Sequence, residues 1–385
     1  MEIGLIGKPS SGKSSFFKAA TMIDVPIDER PFTTIKPNVG IAYVTVECVE
    51  KEFNLKCQPR YGKCENGIRY IPVKIWDIAG LVPNAHEGRG LGLKFLDDIR
   101  QASVLIHIVD VSGKTDEEGR PTHDHDPVKD VEFVEKEIDE WFKGIIEKVV
   151  EKYKSKIKSE KMDISQLLFE QLSGLGVKKI HIDKCMEYFD FDNIEKFSTN
   201  LRKISKPMLI AANKIDIDDA ERNFRKLKEK FDDHIIIPVS ALFEIALKTA
   251  HEKGLIKYDG KNFEIKSDLT PKQKECLDMI KEKVIEKYGS TGVQECINKA
   301  VFDLLKKIVV YPVADANKLT DNKKNVLPDA YLIDEETLLK DFAYILHSDI
   351  GKNFICGIDA RSKKKLSADY KLKNNDIIEI MFNKR

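Results

Sequence analysis

Short apolar runs near residues 2–7, 40–46, 71–77, 104–111, 207–212 and 235–239 alternate with stretches of helical period. Strands alternating with helices predict a doubly wound, mainly parallel α/β sheet. Between Asp110 and Met208 the chain is far longer than one crossover needs. There Val131, Val134, Ile138, Trp141, Ile145, Val149, Tyr153 and Ile157 recur at three- and four-residue steps, which predicts one long amphipathic helix. Segments 163–173, 177–189 and 194–204 read as shorter helices that return along it, giving a helical, coiled-coil-like insertion over 131–205. Turn signals at Pro59, Gly62 and Asn66-Gly67 make 47–70 a hairpin excursion between the second and third strands. Thr270-Pro271 pairs a capping hydroxyl with proline at the first helical position. That helix runs to Gly289, and a second covers about 292–307. The period then changes: strands at Ile308–Val313 and Ala330–Ile333, a helix over Glu335–Ser348, and strands at 354–358 and 377–382 predict a small β-grasp fold. The expected domains are 1–130 with 206–305, 131–205, and 306–385.

The chemistry concentrates where strands end. Gly7-Lys8-Pro9-Ser10-Ser11-Gly12-Lys13-Ser14 fits G-x-x-x-x-G-K-S directly behind Ile3-Gly4-Leu5-Ile6, the strand–turn–helix order of a phosphate-binding loop. The backbone of Lys8, Pro9, Ser10, Ser11, Gly12, Lys13, Ser14 and Ser15, through every N–H except at Pro9, which has none, would face phosphate oxygens at the positive end of the following helix. Lys13 would bridge the β- and γ-phosphates and Ser14 would ligate Mg²⁺. Asp77-Ile78-Ala79-Gly80 follows the strand Val73–Trp76; Asp77 would hold Mg²⁺ through a water and the Gly80 amide would meet the γ-phosphate. Asn213-Lys214-Ile215-Asp216 follows Met208–Ala212. The Asp216 carboxylate can accept from guanine N1–H and its 2-amino group, donors that adenine lacks. Asn213 would support the base edge, the Lys214 stem would cover the ring, and backbone amides at Ser240-Ala241 would meet guanine O6. Pro31-Phe32-Thr33-Thr34-Ile35-Lys36-Pro37 reads as a loop, with Thr34 the chosen Mg²⁺ ligand and Thr33 the reserve.

Composition narrows the class. The 385 residues carry 64 basic and 64 acidic side chains, so the overall field draws the chain neither to DNA nor to a membrane. No apolar stretch approaches the roughly 20 residues of a membrane span, and a core strand starting at Glu2-Ile3 leaves no room for a signal peptide. The seven cysteines are scattered, as in a reducing cytoplasm. Cys48, Cys57 and Cys64 cluster loosely, yet with neither a C-x-x-C pair nor a partnering histidine they read as free thiols.

The run Asp77–Leu96, with D-x-A-G-L, A-H-x-G-x-G-L-G and F-L, resembles the second switch of Obg-type GTPases. Pro31–Thr34 and Leu105–Asp110 fit the same group, and nearly the whole chain resembles the YchF subfamily in its archaeal-type branch. Residues Leu372 and Asn374-Asn375-Asp376-Ile377-Ile378-Glu379-Ile380 resemble a C-terminal TGS domain, with Asn-Asp in place of the usual Gly-Asp turn. The resemblance implies a P-loop NTPase fold and a GTP/GDP switch acting on the ribosome or structured RNA in translation or stress responses. Basic residues near the helical tip (Lys152, Lys154, Lys156, Lys158) and at Arg361-Lys363-Lys364-Lys365 permit phosphate contacts.

Two departures bear on mechanism. Leu81 stands where many small GTPases carry glutamine, so slow intrinsic hydrolysis is expected. His86 is then a candidate for placing the water, the plainer reading being an exposed loop histidine. His107, at a position discussed as catalytic in related proteins, lies mid-strand among apolar neighbours and reads more simply as core. Ser10 replaces an asparagine that helps hold a monovalent cation, which leaves potassium a doubtful second cofactor beside Mg²⁺. The intact Asn213-Lys214-Ile215-Asp216 favours GTP. A triphosphatase with relaxed GTP/ATP choice and a nucleotide-stabilised RNA-binding scaffold with negligible turnover remain the alternatives.

Overall fold

The computed structural model describes residues 1–22, 38–78, 98–160 and 163–383, without the side chains of 155–160. Seven strands form one sheet: β1 (Glu2–Ile6), β2 (Val39–Glu47), β3 (Lys63–Glu65), β4 (Ile68–Asp77), β5 (Val104–Asp110), β6 (Met208–Asn213) and β7 (Ile236–Val239). Their order is β2-β4-β1-β5-β6-β7, with β3 on β4. The pairs β4-β1, β1-β5, β5-β6 and β6-β7 are parallel, in registers such as Ile3↔Val104 and Leu105↔Met208. Every residue of β5 is buried, as expected of a central parallel strand covered on both faces, whose sequence is a continuous apolar run.

The described parts of 1–22, 38–41 and 74–296 make one compact unit, and those of 42–73 and 297–385 a second. The excursion after β2 therefore groups with the C-terminal residues.

In the first unit one helix spans Pro127–Glu160, 34 residues, about 50 Å at 1.5 Å per residue. It starts at Pro127, before the predicted segment, because proline suits the first helical position. Val134 and Ile138 pack with Ile6, Ile99 and Leu105 under the sheet. Beyond Ile138 the fully buried positions are Phe142, Ile146 and Val150, while Trp141, Ile145 and Val149 are only partly buried. The buried stripe thus shifts one residue from the predicted face. Three shorter helices, Ile164–Leu172, Lys179–Cys185 and Glu195–Ser205, close on that stripe through Leu168, Ile182, Phe197 and Leu201.

Near the end of this unit, Thr270 caps the helix Pro271–Ile280 by a reciprocal box with Gln273. The short antiparallel pair β8 (Ile256–Tyr258) and β9 (Phe263–Ile265) has no counterpart in the sequence reading.

The second unit contains a five-stranded sheet of β10 (Lys307–Val313), β11 (Tyr331–Asp334), β12 (Phe354–Asp359), β13 (Lys365–Leu366) and β14 (Asp376–Phe382), in order β11-β10-β14-β12-β13. Only its central pair, β10-β14, is parallel. The helix Leu339–Leu346 packs Leu339 and Phe342 against Val310 and Ile378. Asn375 takes φ 68° in the Asn-Asp turn. Asparagine tolerates the left-handed region better than other non-glycine residues, which explains how the turn keeps its shape. Arg361 is committed to Glu52 through two contacts of 2.7 Å, and the Lys363 ammonium donates to Ala316 O at 2.7 Å. Two of the four basic residues proposed for phosphate contact are therefore occupied within the fold. No described helix is long and apolar enough to cross a membrane.

Phe197 is fully buried and meets Phe189 edge-on at 5.1 Å. Phe197→Ala is expected to cost about 3–5 kcal/mol through lost burial and a residual cavity. Urea unfolding followed by Trp141 fluorescence in a Trp76→Phe background measures it.

Candidate nucleotide site

The loop after β1 is shaped by backbone that side chains would block. Gly7 sits at φ 145° and a Cβ there would lie 2.4 Å from Ile108 O. Gly12 sits at φ 95°, where a Cβ would lie 2.2 Å from Asn213 Nδ2. Both are closer than any side chain tolerates, so the two glycines of the motif are required by geometry. Ser10 also takes a positive φ, 60°. Among the described residues no side chain caps the helix Lys13–Thr21, which leaves its first-turn amides open to an anion. The Lys13 ammonium lies inside the loop, donating to Gly7 O at 3.2 Å and Lys8 O at 3.1 Å. Burial lowers its pKa, opposed by the nearby Asp77 carboxylate.

Lys8, by contrast, turns its side chain away. Its buried ammonium pairs with Asp130 at 2.8 Å and donates to Thr115 O at 2.7 Å, so only the Lys8 backbone is available to a ligand. The segment after β5 also leans on the loop, since a Cβ at Gly119 would come within 2.7 Å of Pro9 O.

The base-reading residues are fastened to that loop. Asn213 Nδ2 donates to Ser11 O at 2.9 Å, and Asn213 Oδ1 accepts from the Ala241 amide at 3.2 Å. One amide side chain therefore joins the phosphate loop, the turn after β6 and the turn after β7. Lys214 adopts φ 65° and its ammonium pairs with Asp110 at 2.7 Å. Burial works to raise the Asp110 pKa, but hydrogen bonds from Lys214, Ser112 and Thr115 leave it lowered. Asp110, the last residue of β5, thus fixes the Lys214 stem. Asp216 is half-buried, and its carbonyl accepts from Lys283 Nζ at 3.4 Å. Ser240 is buried and its amide donates to Thr291 O at 3.0 Å. Buried Glu244 accepts from Thr291 Oγ1 and from the Tyr258 hydroxyl, which steadies this turn through partners that no local motif marks.

The proposed metal ligands also meet. Ser14 Oγ donates to Asp77 Oδ2 at 2.8 Å, although 63 residues separate them in sequence. A hydroxyl and a carboxylate at this separation fit a hard divalent cation held partly through water. Thr33, Thr34, Gly80, Leu81 and His86 lie outside the described residues. His107 is buried in β5, and neither ring nitrogen has a hydrogen-bond partner among the described residues. Burial pushes its pKa down to about 3, so the ring is neutral at ordinary pH.

A phosphate loop, a hydroxyl–carboxylate pair and a base-reading turn fastened together by one asparagine describe a guanine-nucleotide site. Three family descriptions match the chain: "50S ribosome-binding GTPase" over residues 2–153, "Obg-like GTPase YGR210-like, G4 motif-containing domain" over 211–315, and "TGS domain" over 323–382. The chain belongs to the Obg/YchF family of GTP-binding proteins. A GTP-binding protein of Methanocaldococcus jannaschii is 50% identical over 388 aligned positions, covering 98% of each chain. The crystal structure of a GTP-binding protein from Pyrococcus horikoshii aligns with a TM-score of 0.80 at 39% identity, covering 100% of both chains. The ribosome-binding ATPase YchF of Mycoplasma pneumoniae is 29% identical, covering 69% of this chain and 76% of its own.

Asn213→Ala is expected to lower GTP affinity roughly 10- to 100-fold, because two buried backbone groups lose their partner. Titration with a fluorescent GTP analogue measures it. His107 gives a pH signature. Above about pH 6.5 the ring is neutral whether folded or unfolded and has no effect. Below it the unfolded chain gains a proton that the buried ring refuses down to about pH 3, so acid lowers stability. His107→Leu is therefore expected to lose less stability than the parent between about pH 6.5 and about pH 5, by up to roughly 1.4 kcal/mol per pH unit, in urea unfolding.

Proposed function

We propose that this protein is a Mg²⁺-dependent, GTP-hydrolysing switch that acts on the ribosome or on structured RNA, in the cytoplasm. The observation that carries the reading is the Asn213 side chain, which ties the phosphate loop at Ser11 to the base-side turn at Ala241. Phosphate and base would then be gripped by one rigid assembly. In this reading the N–H groups of Lys8 and of Ser10 to Ser15 receive the phosphate oxygens and Lys13 spans the β- and γ-phosphates. Ser14 and Asp77 hold the Mg²⁺, which supplies charge neutralisation at the γ-phosphate. Asp216 reads guanine while the Lys214 stem, pinned by Asp110, covers the ring. Hydrolysis transfers the γ-phosphoryl group to water, leaving GDP and phosphate. With Leu81 after the switch motif, the intrinsic rate is slow until a partner orders the site. The partner class follows from the "50S ribosome-binding" description of the matching family and from the ribosome-binding relative of Mycoplasma pneumoniae.

That relative is named an ATPase, so base choice is tested first. GTP is expected to bind at least tenfold more tightly than ATP, and Asp216→Asn to erase most of the difference. Equal GTP and ATP affinities in the parent protein favour relaxed base choice instead. Ribosome co-sedimentation with GDP, with a non-hydrolysable GTP analogue and without nucleotide tests the switch. Binding that differs between the two nucleotides supports it, and equal binding favours a scaffold.

A further inference from the structure

Away from the nucleotide site, the second unit draws together three cysteines and one carboxylate that the nucleotide chemistry does not use. Cys48 ends the stretch after β2, Glu50 lies in the following 3₁₀ turn Val49–Lys51, Cys57 lies in the loop beyond it, and Cys64 is in β3. Spacings of this kind carry no recognisable motif, which is why the sequence reads the cysteines as free thiols. In space the four ligand atoms all lie within 4.8 Å of one another. Cys48 Sγ is 3.7 Å from Cys57 Sγ, and Cys64 Sγ is 3.3 Å from Glu50 Oε1. A tetrahedral zinc ion with Zn–S bonds of about 2.3 Å and a Zn–O bond of about 2.0 Å requires edges of roughly 3.8 and 3.5 Å. The two measured edges fit such a tetrahedron.

A second observation points the same way. Arg69 is 1% exposed, and buried charges are normally paired. Among the described residues its guanidinium donates to Leu327 O at 3.0 Å, Pro328 O at 2.7 Å and Cys57 Sγ at 3.4 Å. No carboxylate hydrogen-bonds it there; Asp329 lies close enough to feel its charge, and the direct contact with Cys57 Sγ favours anionic sulfur beside it. The carboxylate is oriented as well: the Cys57 amide donates to Glu50 Oε2 at 2.7 Å, leaving Oε1 turned toward the sulfurs. Such outer hydrogen bonds hold ligands in place around a metal. A dication bound there would displace the thiol protons to solvent.

We propose that Cys48, Cys57, Cys64 and Glu50 form a structural zinc site. All four coordination positions come from the chain, the pattern of a closed structural site and not of a catalytic one that keeps a position open for water. The ion pins the loop that carries Cys57 against β3. The same excursion meets the C-terminal residues of its own unit, with the Gln58 amide donating to Val326 O at 2.8 Å and the Arg60 amide to Pro328 O at 2.9 Å.

The test is metal content of the full-length protein purified without chelator. About one zinc per chain is expected, falling at least tenfold in Cys57→Ser and in Cys64→Ser. GTP binding by these variants is expected to persist, since no residue of the nucleotide site is altered. Should the variants fail to fold, chelator-stripped parent protein is titrated with cobalt chloride alone. A thiolate-to-cobalt charge-transfer band that added zinc chloride abolishes supports the site. Zinc-free protein that develops no cobalt band overturns it. Iron in place of zinc overturns the metal assignment, and a Cys48–Cys57 disulfide found by mass spectrometry after alkylation overturns the proposal outright.

Discussion

One buried amide side chain holds the nucleotide site together. Asn213 reaches Ser11 O with its nitrogen and the Ala241 amide with its oxygen, and it can do so only because Gly12 has no Cβ in its path. The glycine and the asparagine form one structural constraint, although 200 residues of sequence lie between Gly12 and Asn213. Around it the other contacts fall into place. Asp110 pins Lys214, Glu244 and Thr291 steady the turn at Ser240, and Ser14 meets Asp77. A preorganised site of this kind spends little binding free energy on ordering itself, so more of it appears as affinity.

The parallel sheet is the reason these residues meet. Strands β1, β5, β6 and β7 run the same way, so the loops that follow them open at one edge, where ligands of open α/β sheets bind. The burial of Lys8 follows from the same crowding. Its ammonium has gone to Asp130 and Thr115 O, which leaves Lys13 as the loop's cation toward a ligand.

Much of this was legible in the sequence where one local signal dominated. The continuous apolar run of β5 announced a central strand, and Thr270-Pro271 announced a helix start that the structure caps through Gln273. The motif residues at Gly12, Lys13 and Asn213 were legible because each falls in a short pattern directly behind an apolar strand. The long helix shows the limit of periodicity. A repeat of 3.6 residues drifts, and past Ile138 the neighbouring helices select Phe142 and Ile146 over Trp141 and Ile145. Pairings set by tertiary structure left no local trace. Lys214 and Asp110 are 104 residues apart, and Cys48, Glu50, Cys57 and Cys64 come from a turn, a loop and a strand whose spacing matches no motif. The pair β8 and β9 escaped because strands of three residues carry too little pattern.

The central claim is that the phosphate loop, with Ser14 and Asp77, forms one grip on a triphosphate and its magnesium. Calorimetric titration of GTP into the purified chain, with magnesium and then with the ion chelated, tests it most directly. One saturable site whose affinity falls at least tenfold on chelation is the predicted result. GTP binding of equal strength in both conditions, or none in either, would contradict it.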